Sequence, residues 1–105
     1  MDPAAVRNRL VMATAMWREA TDEPLPRMPP GDPLVQLEAF EIQVVELLFA
    51  AATLETARLT ANKTWDVVHD RPDTDPVKLR VVAGHEELAR RVAEAGGEQE
   101  PQPKA

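Results

Sequence analysis

The stretch Asp32–His69, DPLVQLEAFEIQVVELLFAAATLETARLTANKTWDVVH, decides the fold. Within it, side chains at alternating spacings of three and four form one stripe: Leu37, Phe40, Val44, Leu47, Ala51, Leu54, Arg58, Ala61, Trp65 and Val68. All but Arg58 are apolar, and this spacing keeps a seam facing a neighbouring helix. A second, shorter stripe of Ile42, Val45, Phe49, Ala52 and Leu59 lies on a different side. A helix with one apolar face packs on its own domain, whereas one apolar nearly all round is enclosed. The pattern predicts a single helix over 33–69, about 55 Å long at 1.5 Å per residue. Two short flanking helices can hardly enclose it. A partner, either a second copy or another protein, is therefore expected on the second stripe, with Ile42, Val45, Phe49, Ala52, Leu59 and Arg58 as the interface. A lone charge in an apolar seam fixes register at a cost in stability; the alternative for Arg58 is a stem lying along the helix edge with its head in water. Thr60, Asn62 and Thr64 are poor helix formers. They leave open a stop near Ala61 with a strand-like Thr64–Val68, but Trp65 and Val68 stay on the stripe and favour the continuous helix.

Outward from this segment, three helix starts share one signature. Asp2-Pro3, Asp32-Pro33 and Asp75-Pro76 each place a carboxylate acceptor ahead of a proline. The Asp accepts orphan N–H groups, and the proline gives up an N–H that has no partner in the first turn. Helices are thus predicted over 3–20, 33–69 and 76–95. In the first, Val6, Leu10, Ala13 and Trp17 form the main face, widened by Met12 and Met16, while Arg7, Arg9 and Arg18 point elsewhere. In the last, Val77, Val81, Leu88, Val92 and Ala95 form one face, and Glu86–Arg90 and Glu87–Arg91 are solvent-side i,i+4 pairs. Gly96-Gly97 is the expected C-terminal stop. Residues 21–31, rich in proline, cannot be helical and form a stiff connector. Its Pro26-Arg27-Met28-Pro29 has the spacing of a proline-rich ligand, with linker as the simpler reading. Residues 98–105 bury nothing and are expected to be a disordered tail. The fold class is all-α: one domain over 1–97, a three-helix bundle with one long central helix, oligomerising.

Composition narrows the function. The 105 residues contain no cysteine, serine or tyrosine, which removes disulfides, thiolate metal sites, serine nucleophiles and tyrosine acids. Absence of cysteine fits a reducing cytoplasm, the expected location. The abundance of Ala, Arg, Pro and Gly over Lys suggests a GC-rich coding sequence, bacterial or phage. Net charge is −6, concentrated in residues 32–70, where seven acids face only Arg58 and Lys63. Sequence-independent nucleic-acid binding needs a high density of Lys and Arg, so the charge argues against it. No basic region followed by an apolar run opens the chain, so no signal peptide is expected. The most apolar window, Val44–Leu54, is well short of the ~20 residues a membrane span requires.

Three groups of residues are candidates for chemistry. Asp66 and His69 lie one turn apart, as half of a metal pair would on a bundle helix, but Glu38 and Glu41 sit too far along the helix to join them within one copy, and no site is expected. Glu38, Glu41 and Glu46 lack the second acidic pair that a pyrophosphohydrolase-type Mg²⁺ site needs, because Arg58 stands three residues after Glu55. Arg80-Val-Val-Ala-Gly-His85 resembles, over about ten residues, the Arg-x4-His motif of HEPN ribonucleases. That resemblance implies RNA cleavage by Arg80 and His85 at a dimer cleft. On a regular helix five residues turn through about 140°, so the two side chains diverge; Arg80 then faces solvent and His85 flanks the apolar face.

A broader resemblance covers most of the chain. A short helix bearing a Trp, a long helix opening at an Asp, a polar connector, then Asp75-Pro76-Val77-Lys78-Leu79 leading a helix to Gly96-Gly97 and a Pro-rich tail resembles the small terminase subunits of tailed phages. It implies a ring-forming, non-enzymatic DNA-packaging adaptor. The expectation for function is accordingly a non-enzymatic oligomerisation or adaptor subunit of a larger assembly. It would associate with itself or another protein through the central helix, and use no cofactor or metal.

Overall fold

A computed structural model describes the backbone of residues 2–28 and 30–99 and the side chains as far as Ala95. The described residues form four helices and no strand: α1 (Pro3–Ala20), α2 (Pro33–Ala51), α3 (Ala57–Val68) and α4 (Pro76–Gln99). All three Asp-Pro pairs open helices. Asp32 accepts from the N–H groups of Leu34 (3.0 Å) and Val35 (3.1 Å), and Asp75 from those of Val77 (2.8 Å) and Lys78 (3.0 Å). Asp2 makes no side-chain cap bond, so α1 starts on its proline alone. Gly31, immediately before Asp32, has φ +147°, a conformation that side chains with a Cβ rarely adopt.

The helix expected over 33–69 is interrupted. Ala52 leaves helical geometry at ψ 136°, and Thr53 and Thr56 then bond each other reciprocally. The Thr53 N–H donates to Thr56 Oγ1 at 2.8 Å, and the Thr56 N–H donates to Thr53 Oγ1 at 3.2 Å. This is the logic of a capping box, with threonine where Glu or Gln usually stands. Because threonine side chains compete for backbone groups, the pair provides an alternative to continuing the helix. The carbonyls exposed at the end of α2 are met from α4: Arg91 donates to the oxygens of Phe49 (3.4 Å) and Ala52 (2.9 Å). Arg91 therefore serves the core and not the solvent-side pair with Glu87 read from the sequence. Glu87 pairs with Arg90.

The break explains both stripes. Leu37, Phe40 and Val44 are buried as expected, but beyond Leu47 the 3-4 phase ends, and Ala51, Leu54 and Arg58 are exposed. One face of α2, Phe40, Val44 and Leu48, packs with Ala13 of α1, flanked by Met16, Trp17 and Ala20. The other face, Val45, Phe49 and Ala52, packs with Ala57 and Val68 of α3 and Val77, Val81 and Leu88 of α4. From Val45 to Ala52 the second stripe is thus covered by the chain's own α3 and α4, while Leu59 is exposed. Phe49 lies directly on Gly84, where an added Cβ would come within 2.7 Å of the ring Cζ and closer still to two other ring atoms. Glycine here is a requirement of close helix approach. At the other end, α4 passes through Gly96 and Gly97 to Gln99; glycine permits a helix stop but imposes none. Of the expected tail, residues 98 and 99 are helical and 100–105 lie outside the described residues, as does Pro29 of the connector. Among the described residues no helix is long and apolar enough to cross a membrane.

Candidate functional site, an apolar cleft between two helices

Helices α1 and α3 both border α2 without closing on each other, and the gap between them is a cleft of about 380 Å³. Its floor is Val44 and Val45 of α2. Met12, Ala13 and Met16 form the α1 wall, and Thr64, Val67 and Val68 the α3 wall, with Pro72 and Val77 behind. The walls are built by helical spacing: positions 12, 13 and 16 share one side of α1, and 64, 67 and 68 share one side of α3. Thioether and branched aliphatic side chains give an adaptable apolar surface.

Ion pairs bound the cleft at both ends. At one end, Glu41 of α2 receives two arginines. Arg9 Nε donates to Glu41 Oε2 at 3.0 Å and Arg9 Nη2 to Oε1. Arg71, in the α3–α4 turn, donates through Nη2 to Oε2 at 2.9 Å and through Nη1 to Oε1 at 3.3 Å. Arg71 Nη1 also lies 3.8 Å from Asp75. The Glu41 side chain is only 5% exposed, and those of Arg9 and Arg71 15% and 11%. The hydrogen bond that Arg9 donates to Glu41 is the main reason that the Arg9 pKa stands above its ordinary value; desolvation opposes it, and the charges of Glu41, Asp75 and Glu38 add to it. At the other end Lys63 of α3 donates to Glu19 of α1 at 2.9 Å. Since Arg9 lies toward Arg71 and Glu19 toward Lys63, α1 and α3 run antiparallel across the cleft.

This cluster escaped the sequence reading, which placed Arg9 away from the core and weighed Glu41 only as part of a rejected metal set. The available signal was Glu41 itself. It lies four residues after Leu37 and four before Val45, an acid in the middle of an apolar arc. A buried carboxylate there requires cationic partners, but arginines stand along the whole chain, from Arg7 to Arg91, and which of them reach Glu41 is set by the tertiary fold.

The other candidates are dispersed. Arg80 pairs with Glu46 on α2, whereas His85 Nε2 lies 3.2 Å from Thr64 Oγ1 on α3. His85 is also edge-on to Phe49 and tilted against Trp65, with ring centroids 5.8 and 6.0 Å away. The divergence expected of an i,i+5 pair is therefore realised: Arg80 reaches Glu46 of α2, while His85 sits between Phe49 of α2 and Thr64 and Trp65 of α3. Asp66 and His69 are exposed, and no group of three or more potential metal ligands occurs among the described residues. Of the six residues expected at an interface, Val45, Phe49 and Ala52 are buried in the core, Ile42 packs against it, and Arg58 and Leu59 are exposed. Arg58, with its head in solvent, lies outside the apolar packing of this chain. Lys78, a residue not singled out in sequence, is buried: its ammonium donates to the carbonyls of His69 (3.2 Å) and Arg71 (2.8 Å) and to Asp73 (3.1 Å). It also stands 5.4 Å from the centroid of the Trp65 ring. This ties the turn after α3 to the start of α4 and so positions Arg71 for Glu41. Comparison with protein-family models, curated proteins and solved structures finds no match to this chain.

Proposed function

We propose that this chain is a non-enzymatic helical adaptor that associates with a second copy of itself or with another protein, and that it does so through the cleft between α1 and α3. The observation that carries this reading is the cleft itself: about 380 Å³ of mostly aliphatic and thioether lining left open in a small helical protein. An open apolar recess is the usual form of a recognition site. Met12 stands at its lip, half-exposed. The groups that would be candidates for catalysis hold structural partnerships: Arg80 with Glu46, His85 with Thr64, and Glu41 between two arginines. The second stripe of α2 is not the association surface in this reading, because α3 and α4 already cover it from Val45 to Ala52.

The test is site-directed photo-cross-linking. A benzoylphenylalanine replacing Met12 is expected to yield one product of defined mass in intact cells, either a covalent dimer or an adduct with one partner. The same label at Glu94, exposed near the far end of α4, is expected to yield none. Equal labelling from both positions, or none from Met12, refutes the assignment of the cleft as the association surface.

A further inference from the structure

Resting on that reading, we infer that the cleft receives a single uncharged, bulky apolar side chain of a partner protein, a tryptophan or an aliphatic residue of similar reach, inserted from above and not laid lengthwise. Three features carry the inference. The first is length. The α1 wall runs from Arg9 to Met16, about 10 Å at 1.5 Å per residue, and the Arg9–Glu41–Arg71 cluster and the Glu19–Lys63 pair stand across the two ends. About 10 Å is less than two turns of a partner helix, so the cleft suits one inserted side chain better than a helix laid along it.

The second is volume. About 380 Å³ lies near the lower limit of ligand recesses, roughly 300–1,000 Å³, which suits one large side chain and leaves no room for a row of them. The third is charge. At the polar end the guanidinium groups of Arg9 and Arg71 are matched by the carboxylates of Glu41 and Asp75. An incoming anion would have to compete with Glu41 for arginines that already donate to it. An incoming cation would have to compete with two arginines for Glu41. Either would lose its hydration without a new partner, which is costly. Asp70, the remaining acid of the lining, is solvent-exposed, where water and salt screen it. A neutral ring or branched chain meets Met12, Met16 and Val67 above the buried Val44 and disturbs none of the pairs.

The experiment compares probes that share one ring and differ in charge and origin: indole, tryptamine, indole-3-acetate and N-acetyl-tryptophan amide. Each is titrated into the intact protein while the methyl resonances of Met12, Met16, Val44 and Val67 are followed by NMR. Indole and N-acetyl-tryptophan amide are expected to shift these methyls, with dissociation constants at least roughly ten-fold below those of the two charged probes. The shifts are expected to vanish in Val67→Phe, and independently in Met16→Phe, each of which fills the cleft from one wall. Charged probes binding as tightly as neutral ones would overturn the charge argument. Shifts from free indole but not from the amide would assign the cleft to a small molecule and overturn the side-chain occupant. Shifts persisting in both folded filling variants, or absent with every probe, would also overturn it. Cross-linking from Met12 tests the association surface separately, so a cleft that cross-links a partner yet prefers charged probes refutes only the inference about its occupant.

Discussion

Replacing Glu41 with glutamine should destabilise the fold more than most surface or cap substitutions, and the structure sets the size of the effect. The carboxylate is 5% exposed and takes donors from Arg9 and Arg71. The amide keeps its shape but carries no charge, leaving two guanidinium groups facing each other in a poorly solvated site. Removing one member of a buried ionic group typically costs about 3–5 kcal/mol. Arg9 and Arg71 keep 15% and 11% of their side-chain exposure, so some water reaches them and the lower end, about 3 kcal/mol, applies. For a domain of this size 1 kcal/mol moves the melting temperature by roughly 4–8 °C, so the expected drop is on the order of 12 °C or more. Urea titration and thermal melts followed by circular dichroism measure both. The triple variant Arg9→Met, Glu41→Leu, Arg71→Met is the control. It removes all three charges and should lie within about 1 kcal/mol of the wild type, because apolar replacement of a whole buried ionic group is often neutral or better. The raised pKa of Arg9 fixes the sign of the pH dependence: the stability it brings is complete below the unfolded-state pKa and is lost only as the pH climbs through the higher folded one, in strong alkali. A Glu41→Gln loss below about 1 kcal/mol, or a triple variant as unstable as the single one, would refute the view that uncompensated charge dominates at this site.

Gly84→Ala should destabilise by about 1–3 kcal/mol, since the new methyl collides with the Phe49 ring and overpacking outweighs the gain in helix propensity; a more stable variant in urea would disprove that contact. Arg91→Met should cost about 1–2 kcal/mol by stripping donors from the Phe49 and Ala52 carbonyls. Arg90→Met, whose ion pairs are exposed, should change stability by less than about 0.5 kcal/mol; equal effects would mean that Arg91 caps nothing. Asp32→Ala should cost about 1 kcal/mol and Asp2→Ala only a few tenths, because only Asp32 of these two bonds the first turn through its side chain; helical content and melting temperature of the pair decide it.

That last contrast shows what was legible in the chain and what was not. Three Asp-Pro dipeptides located three helix starts at the residue, because capping and proline geometry are local and need no knowledge of the rest of the fold. The two apolar stripes of α2 were equally legible, and both are used. Which surface covers the second stripe was not legible, because that depends on where the chain turns. The turn at residues 52–56 is made by Thr53 and Thr56, whose reciprocal bonds are also local, but a stripe that continued through Trp65 and Val68 concealed them. Val68 did prove buried, for a different reason: α3 returns it to the core from a new direction. Once the break is admitted, the remaining geometry follows. Helix α3 is released to fold beside α4, which frees α4 to lie on Val45 and Phe49, and Gly84 makes that approach close. Helix α3 then lies opposite α1, joined to it by Glu19–Lys63 at one end and, through Arg9 and Arg71, by the Glu41 cluster at the other. The cleft is therefore a consequence of the same two threonines, and it appears where periodicity alone had left a continuous helix.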